Sequence, residues 1–214
     1  MFKLSEYKQV IFDCDGVILD SNNIKSEAFL KSLEGEDEAS LKSFLKYHKE
    51  NGGISRFVKF EYFFRNIKQQ KDYQDEFDDA LNRYSQLSFE GLLSSKEITG
   101  IRDVLEFLYS QNIDCFVVSG GEQKEVRSVL KHKDLSRYFQ GIFGSPRKKE
   151  EHLSALDLTK AIYFGDAKSD YMAAMKFDIE FVYVGGASDW EDGFQFCSPR
   201  GIKILQNFSE LLLS

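Results

Sequence analysis

The sequence predicts an α/β fold built on a parallel sheet, with an all-helical lobe inserted into it. Short apolar runs alternate with amphipathic helical segments roughly every 20 to 30 residues, which is typical of parallel strands joined by right-handed crossovers. Between the first run and the second, aromatic residues recur at helical spacing instead, and no strand-like alternation is present. Several of the apolar runs end in acidic or glycine-rich residues, as buried strands do at the edge of a ligand site.

Composition sets the broad class of the protein. The chain has 214 residues, enough for one core and a smaller second lobe, and its 42% hydrophobic and 29% charged residues are ordinary for a globular protein. A net charge of -7 gives no reason to expect nucleic acid or a membrane surface as partner. We expect neither a signal peptide nor a membrane span. The three widely spaced cysteines lack metal-site spacing and favour a reducing, cytoplasmic setting.

The first predicted strand, residues 10–14, leads into two carboxylates one residue apart, Asp13 and Asp15, followed at once by Gly16. Aspartate is unfavourable inside strands and is rarely buried without a partner. Two carboxylates at a strand end repel each other unless a cation lies between them, and Mg²⁺ is a cation that prefers oxygen ligands. The alternative interpretation is a strand followed by an ordinary acidic turn.

The helical lobe is predicted to follow directly. Ser21 or Asn22 is expected to cap its first helix, residues 51–53 (Asn-Gly-Gly) form its clearest break, and Ser55 is expected to cap the helix after that break. We expect its aromatic residues to form the lobe's own core rather than a ligand site. They include Phe29, Phe44, Phe57, Phe60, Tyr62, Phe63, Phe64, Phe77 and Tyr84.

Beyond residue 100 the chain alternates between helix and strand. Apolar residues at i, i+3, i+4 and i+7 from Ile101 predict an amphipathic helix that ends near Asn112. The further strands that we expect are 113–121, 141–146, 161–166 and 181–186. The further helices that we expect are 122–132, one with Leu153 and Leu156, one with 169–175, and a short last one with Leu211 and Leu212.

Polar residues follow four of the predicted strands. They are Asp13 with Asp15, Ser119 with Gly120, Arg147 with Lys148 and Lys149, and Asp166 with Asp170. Because parallel strands end at one edge of their sheet, these groups could converge there. Carboxylates can hold Mg²⁺, while a hydroxyl, backbone amides and a lysine can bind phosphoryl oxygens and one carboxylate remains free to attack. The pattern predicts phosphoryl transfer. The glycine motifs of P-loop and dinucleotide-binding proteins are not in the sequence.

The sequence resembles the haloacid dehalogenase (HAD) superfamily of phosphohydrolases over nearly its whole length. The resemblance is to the branch with a helical C1-type cap after the first strand, which includes phosphoglycolate phosphatase and β-phosphoglucomutase. Four motifs carry it in order: Asp13-x-Asp15-Gly16-Val17, Ser119-Gly120-Gly121, a lysine after Gly144-Ser145-Pro146, and Gly165-Asp166-x-x-x-Asp170. The resemblance implies a Rossmann-like core over residues 1–20 and 97–214 and a cap over residues 21–96.

The resemblance also implies roles for the acidic residues. Asp13 would be the nucleophile that forms an aspartyl-phosphate, and Asp15 the general acid that later serves as the base. Mg²⁺ would be held by Asp13, the backbone carbonyl of Asp15 and Asp166. Asp170 would be a further ligand or a group that orients the ligands.

Three positions are implied as phosphate-binding: Ser119, Gly120 and the motif lysine. Family spacing favours Lys149 as that lysine, and Lys148 is the alternative. A lysine pair at a helix start can also be an ordinary solvated charge run, and Ser119 can be only a turn or capping residue.

The cap segment Gly52-Gly53-Ile54-Ser55-Arg56 resembles the cap loop of β-phosphoglucomutase, which places an arginine on a second phosphate. Arg56 would then bind a distal anion of the substrate, although it could equally be an exposed residue at a helix start. Where that mutase has a histidine, this chain has Lys25. We therefore expect a phosphatase of a small metabolite, such as a sugar phosphate, phosphoglycolate or a nucleotide. A mutase is the first alternative, and a catalytically silent binding protein is the second.

Overall fold

The computed structural model describes residues 3–212, so residues 1–2 and 213–214 of the predicted core lie outside it. Within that range a parallel sheet has six strands in the order β5-β4-β1-β6-β7-β8. These strands are β1 (Gln9–Phe12), β4 (Asp114–Glu122), β5 (Gly141–Ser145), β6 (Ala161–Gly165), β7 (Glu180–Val184) and β8 (Lys203–Leu205). A separate antiparallel pair is formed by β2 (Leu19–Asp20) and β3 (Lys96–Glu97).

The helices divide into two groups along the chain. Between β2 and β3 lie α1 (Asn22–Ser32), α2 (Glu38–Glu50), α3 (Arg56–Tyr62), a π-helical turn (Phe63–Ile67) and α4 (Gln74–Ser94). The others are α5 (Ile101–Ser110), α6 (Gln123–His132), α7 (Lys149–Leu153), α8 (Lys168–Lys176), α9 (Gly193–Cys197) and α10 (Ser209–Leu212). The predicted α/β core with an inserted helical cap is therefore confirmed, while the division at residues 20/21 and 96/97 stays a prediction.

Strand β1 lies at the centre of the sheet because its apolar run can be buried on both faces. It pairs in parallel with β4 and β6, so that Val10 lies opposite Cys115 on one side and Ile162 on the other. Val10 and Phe12 pack into the core on one face of the sheet and Ile11 into the core on the other. This continuous burial is typical of a strand inside a parallel sheet.

The cap has a third, aromatic core of its own, as the sequence predicted. Its buried members are Ala28, Phe29, Leu33, Phe44, Phe60, Phe63, Phe64, Ala80 and Tyr84. The ring centroids of Phe29 and Tyr84 are 4.0 Å apart, and those of Phe29 and Phe44 are 5.4 Å apart in an edge-on arrangement. Phe57 and Tyr62 are only half-buried, and Tyr62 stacks on Tyr47 at the side of the cap instead.

Four elements were not expected from the sequence: β2, β3, β8 and α9. Strands of two or three residues are too short to show a hydrophobic period, and α9 has only five residues. The predicted cap at Ser55 is confirmed, since its hydroxyl oxygen accepts a hydrogen bond of 3.3 Å from the Phe57 backbone. Across residues 3–212, no helix has the length and apolar character needed to cross a membrane.

Candidate active site

Three of the predicted acidic residues meet at the carboxyl edge of the sheet. Asp13 follows β1, Asp166 follows β6, and Asp170 lies in the first turn of α8. One carboxylate oxygen of each residue lies within 4.8 Å of one from each of the others, and all three side chains are buried. The convergence results from the parallel pairing of β1 with β6. The sequence predicted a parallel sheet, but not which strands are neighbours in it.

One lysine approaches this cluster, and it is Lys149. Its ammonium nitrogen lies 3.2 Å from Asp13 Oδ1 and forms an ion pair with Asp170. Tyr163 also donates a 3.0 Å hydrogen bond to Asp170. Burial alone would lower the pKa of Lys149, but the charges of Asp13 and Asp170 outweigh it and raise the pKa. Lys148 is exposed, so the structure brings the lysine favoured by the motif spacing to the site.

The cluster carries more negative charge than Lys149 can balance. Burial, followed by the charges of Asp13 and Asp170, raises the pKa of Asp166 well above its usual range. Burial also raises the pKa of Asp13, against the opposing charge of Lys149. Asp13 Oδ1 makes no hydrogen bond to any residue of 3–212. Three buried carboxylates, one of which has an oxygen held only by the ion pair with Lys149, suit a hard divalent cation, so this donor set fits the expected Mg²⁺.

The side chain of Asp15 takes a different direction and does not join the cluster. It forms a partly buried ion pair with Lys25 and accepts a 2.6 Å hydrogen bond from the Ser21 hydroxyl. Burial would raise the pKa of Asp15, but Lys25 outweighs that effect and the pKa is lowered. Ser21 lies at the start of α1, but its hydroxyl donates to Asp15 and makes no capping hydrogen bond to that helix. The proposed metal contact of the Asp15 backbone carbonyl stays a prediction.

Two residues of the first cap helix were missed as site residues. Asn22 donates hydrogen bonds of 2.7 Å to Asp166 and 2.8 Å to the Ala187 carbonyl, so it orients a carboxylate rather than capping α1. Lys25 holds Asp15, as described above. A partial signal existed for Lys25, because its place is held by a histidine in the mutase that the cap loop resembles. No sequence signal singled out Asn22 for this contact.

The glycine-rich end of β4 brings the core against the cap. Ser119 is buried, and its hydroxyl oxygen accepts a 3.0 Å hydrogen bond from the Gly121 backbone. A Cβ on Gly120 would come within 2.1 Å of the Gly53 carbonyl oxygen, so only glycine permits this approach of the cap loop. The phosphate-binding roles of Ser119 and Gly120 stay predictions, and the hydrogen bond fits the turn interpretation of Ser119 as well.

Arg56 is buried rather than exposed, and its charge is already paired. Its guanidinium makes a bidentate contact with Glu125 of α6, in which Nη1 donates to Oε2 at 3.0 Å. It also lies 4.6 Å from the centre of the Tyr84 ring. The pair connects the cap to the core. Glu125 thus occupies the guanidinium that we expected to bind a second anion of the substrate. That expected role of Arg56 stays a prediction.

Breaking this ion pair is expected to destabilise the protein. Arg56→Met leaves Glu125 as a buried carboxylate without its cation, so we expect unfolding free energy to fall by about 3 kcal/mol. The double variant Arg56→Met with Glu125→Met removes both charges and should recover at least half of that loss. Urea denaturation of the two proteins tests this. A double variant that is less stable than the single one would contradict the assigned pairing.

A buried lysine of the cap, Lys59, was also missed by the sequence interpretation. It is 3% exposed, and its ammonium lies 2.8 Å from Nδ1 of His48. Burial first, and then the charge of Lys25, lower the pKa of Lys59 to about 7, although the carboxylates of Asp15 and Asp189 oppose the shift. Lys59, His48, Asp13 and Asp15 line one cavity between the cap and the sheet edge.

The lowered pKa of Lys59 predicts a pH-dependent stability. The folded chain releases the Lys59 proton near pH 7, whereas the unfolded chain keeps it to about pH 10.5. The destabilisation of the fold by Lys59 is therefore largest below pH 7 and becomes smaller as the pH rises. Lys59→Met should therefore stabilise the metal-free protein by on the order of 2 kcal/mol at pH 6 and by much less at pH 9. Urea unfolding at the two pH values measures this, and an equal or larger gain at pH 9 would contradict it.

The family follows from a comparison of the sequence with models of known protein families. Residues 10–184 match the model of the haloacid dehalogenase-like hydrolases. The chain belongs to this family. The match spans β1 to β7 and thus includes every acidic residue of the cluster together with Lys149. The predicted membership and hydrolase class are confirmed.

Two curated relatives of this hydrolase are named as phosphatases. It is 28% identical over 185 residues to the phosphorylated carbohydrates phosphatase of Thermotoga maritima, with 81% of this chain and 83% of the relative covered. It is 22% identical over 224 residues to a phosphoglycolate phosphatase of Photobacterium profundum, with 96% and 94% covered. Both matches therefore extend over most of each chain, cap and core together.

Solved structures share the fold at lower sequence identity. A haloacid dehalogenase-like hydrolase from Streptococcus pneumoniae superposes with a TM-score of 0.69 at 18% identity, covering 98% of this chain and 99% of that one. CbbY from Rhodobacter sphaeroides, solved in complex with phosphate, gives a TM-score of 0.72 at 15% identity, covering 96% of each chain. These similarities establish the common architecture of core and cap.

Proposed function

We propose that this hydrolase is a Mg²⁺-dependent phosphatase that cleaves a small phosphomonoester through an aspartyl-phosphate on Asp13. The observation that carries the proposal is the buried Asp13 carboxylate, which has an oxygen free of hydrogen bonds beside the ammonium of Lys149. Such an oxygen is available to attack phosphorus, and the ammonium can bind the phosphoryl oxygens. The phosphatase names of the two curated relatives support the same chemistry.

The chain's own residues can account for both half-reactions. An oxygen of Asp13 attacks phosphorus and the bond from phosphorus to the ester oxygen breaks, while Asp15 gives that leaving oxygen a proton. Asp15 then takes a proton from water, which attacks phosphorus and releases phosphate together with the free carboxylate of Asp13. The ion pair with Lys25 keeps Asp15 ionised before substrate binds, so its acid role requires that it gains a proton when substrate enters.

A divalent cation would be held by Asp13, Asp166 and the backbone carbonyl of Asp15, with Asp170 as a further ligand or as the partner that fixes Lys149. When bound, it would offset the repulsion between a carboxylate nucleophile and an anionic phosphate. Lys149, the Ser119 hydroxyl and the backbone at Gly120 would bind the phosphoryl oxygens.

The proposed substrates are small phosphorylated metabolites: a sugar phosphate, phosphoglycolate or a nucleotide. A phosphorylated carbohydrate and phosphoglycolate are also what the relatives' names specify. No contact in the described chain favours the mutase alternative, and Lys25 replaces the histidine on which that resemblance depends. A cytoplasmic location is part of the proposal, and the three free, buried cysteines support it.

The experiment is to measure phosphate release from a panel of phosphorylated metabolites with Mg²⁺, with EDTA, and after Mg²⁺ is restored. We expect release that EDTA abolishes and Mg²⁺ restores. Undiminished release in EDTA would contradict the metal dependence. Isomerisation of a sugar phosphate without net release of phosphate would favour the mutase. If no compound were hydrolysed or isomerised, the result would favour a catalytically silent binding protein.

A further inference from the structure

Four buried cations of the described chain line or border the cavity between cap and core: Lys25, Arg56, Lys149 and Lys59. The first three form ion pairs with carboxylates of the core, as described above. Lys59 has no ion-pair partner among residues 3–212, and its nearest polar contact is the uncharged ring of His48. It is therefore the buried cation of the cavity that forms no ion pair with the described residues, although the carboxylates of Asp15 and Asp189 act on its charge from farther away.

The contacts of Lys59 hold its ammonium in place without using all of its hydrogen-bond donors. Burial, and then the charge of Lys59, lower the pKa of His48 to about 2, so the imidazole is neutral. Its Nδ1 accepts from Lys59, and its Nε2 then donates to the Ser26 hydroxyl at 3.0 Å. The ammonium also lies 3.4 Å from the His48 carbonyl. These contacts use at most two of the three N–H donors of an ammonium. The Phe29 ring, whose centre lies 5.6 Å from the ammonium nitrogen, adds a weak cation–π contact but no hydrogen-bond acceptor, so one donor is left for a ligand.

A buried charge without a partner destabilises a fold, so its presence in a substrate cavity points to a ligand of opposite sign. The same cavity is also lined by Asp13 and Asp15, where the phosphoryl group of a substrate would lie. An anion on the remainder of that substrate could therefore reach the cap. Arg56 is the other cap cation considered for this role, but Glu125 already neutralises it.

We propose that Lys59 binds a second anionic group of the substrate, so that the preferred substrate is a phosphomonoester that also carries a carboxylate or another phosphate. The proposal rests on the proposed phosphatase function and specifies its substrate class. Lys59 acts in binding and selection rather than in the chemical steps at Asp13.

The test compares substrates that differ only in the second anion. One pair is phosphoglycolate and 2-hydroxyethyl phosphate, and the other is a hexose bisphosphate and its monophosphate. For the preferred pair we expect the unmodified enzyme to favour the doubly anionic member, and Lys59→Met to lower the ratio of the two kcat/KM values by roughly 30-fold, mainly through KM. Lys59→Arg should retain most of the ratio. The pair that responds identifies the anion as carboxylate or phosphate.

Lys46→Met is the matched control, because Lys46 is an exposed lysine on α2 that pairs with Glu50, and it should leave the ratio unchanged. The proposal is overturned if the enzyme cleaves p-nitrophenyl phosphate but favours neither doubly anionic member, or if Lys59→Met lowers both members equally. A melting temperature of Lys59→Met below that of the unmodified protein would likewise assign the lysine a structural role. No hydrolysis of any compound, p-nitrophenyl phosphate included, would instead contradict the proposed phosphatase function.

Discussion

Asp13→Asn is expected to lower kcat for phosphate release by on the order of 10⁴-fold. The substitution keeps the shape of the side chain but replaces the attacking carboxylate with an amide, which is a very weak nucleophile. Because Asp13 is buried beside two other carboxylates, the loss of its charge should not unfold the protein. We expect the metal-free variant to melt at or above the temperature of the unmodified chain, since one repulsive charge is gone.

Asp20→Asn provides the control for this prediction. Asp20 is exposed in β2 near the same strand end, and we assign it no chemistry. Its substitution should change kcat by less than about threefold. Phosphate release is measured for both variants with the best substrate of the panel and saturating Mg²⁺. If Asp13→Asn kept a tenth or more of the activity, Asp13 would not be the nucleophile.

Lys149→Met is expected to lower kcat/KM by roughly 10²- to 10³-fold, while Lys148→Met changes it little. The two lysines are adjacent in the chain, but the ammonium of Lys149 contacts Asp13 and Asp170 in the buried cluster whereas Lys148 is exposed. Removing Lys149 takes away a cation that would bind the phosphoryl group. It also leaves the buried carboxylates without their one cation from the described chain.

The two lysine variants should also differ in stability, and Lys149→Met should be the less stable one. Lys149→Met should lower the unfolding free energy by about 3 kcal/mol in metal-free buffer, because it breaks a buried ion pair from one side. Added Mg²⁺ should recover part of that loss, since a divalent cation can balance the same carboxylates. Kinetics and urea unfolding of both variants give the comparison. Equal effects of the two substitutions, or a larger effect of Lys148→Met, would contradict the placement of Lys149 in the site.

The acidic cluster could be predicted from the sequence because it depends on one topological rule. Asp13 and Asp166 end apolar runs, and parallel pairing of those runs places both at one edge of the sheet. The spacing of Asp170 then places it in the first turn of the helix that follows β6. The choice between Lys148 and Lys149 could not be derived from charge alone, because the orientation of a short helix start decides which lysine is buried.

Contacts between the cap and the core could not be predicted in the same way. The pairs Arg56–Glu125 and Lys25–Asp15 join residues 69 and 10 positions apart, and they depend on how the cap sits on the sheet edge. No periodic pattern encodes that position. Lys59 falls on the apolar face of α3, where sequence alone suggests a solvated charge at the end of the helix rather than a buried one. The short strands β2 and β3 were not predicted, because a strand of two residues is too short to show an alternation of apolar and polar residues.

The covalent intermediate on Asp13 is the central claim, and acid-quenched mass spectrometry tests it most directly. We would use Asp15→Asn with Mg²⁺ and p-nitrophenyl phosphate, because p-nitrophenolate leaves without a proton from Asp15 while hydrolysis of the intermediate is slowed. The account predicts that the peptide containing Asp13 gains the mass of one phosphoryl group, and that the gain is absent with EDTA. Turnover without any such mass gain, or a phosphoryl group on another residue, would contradict the account.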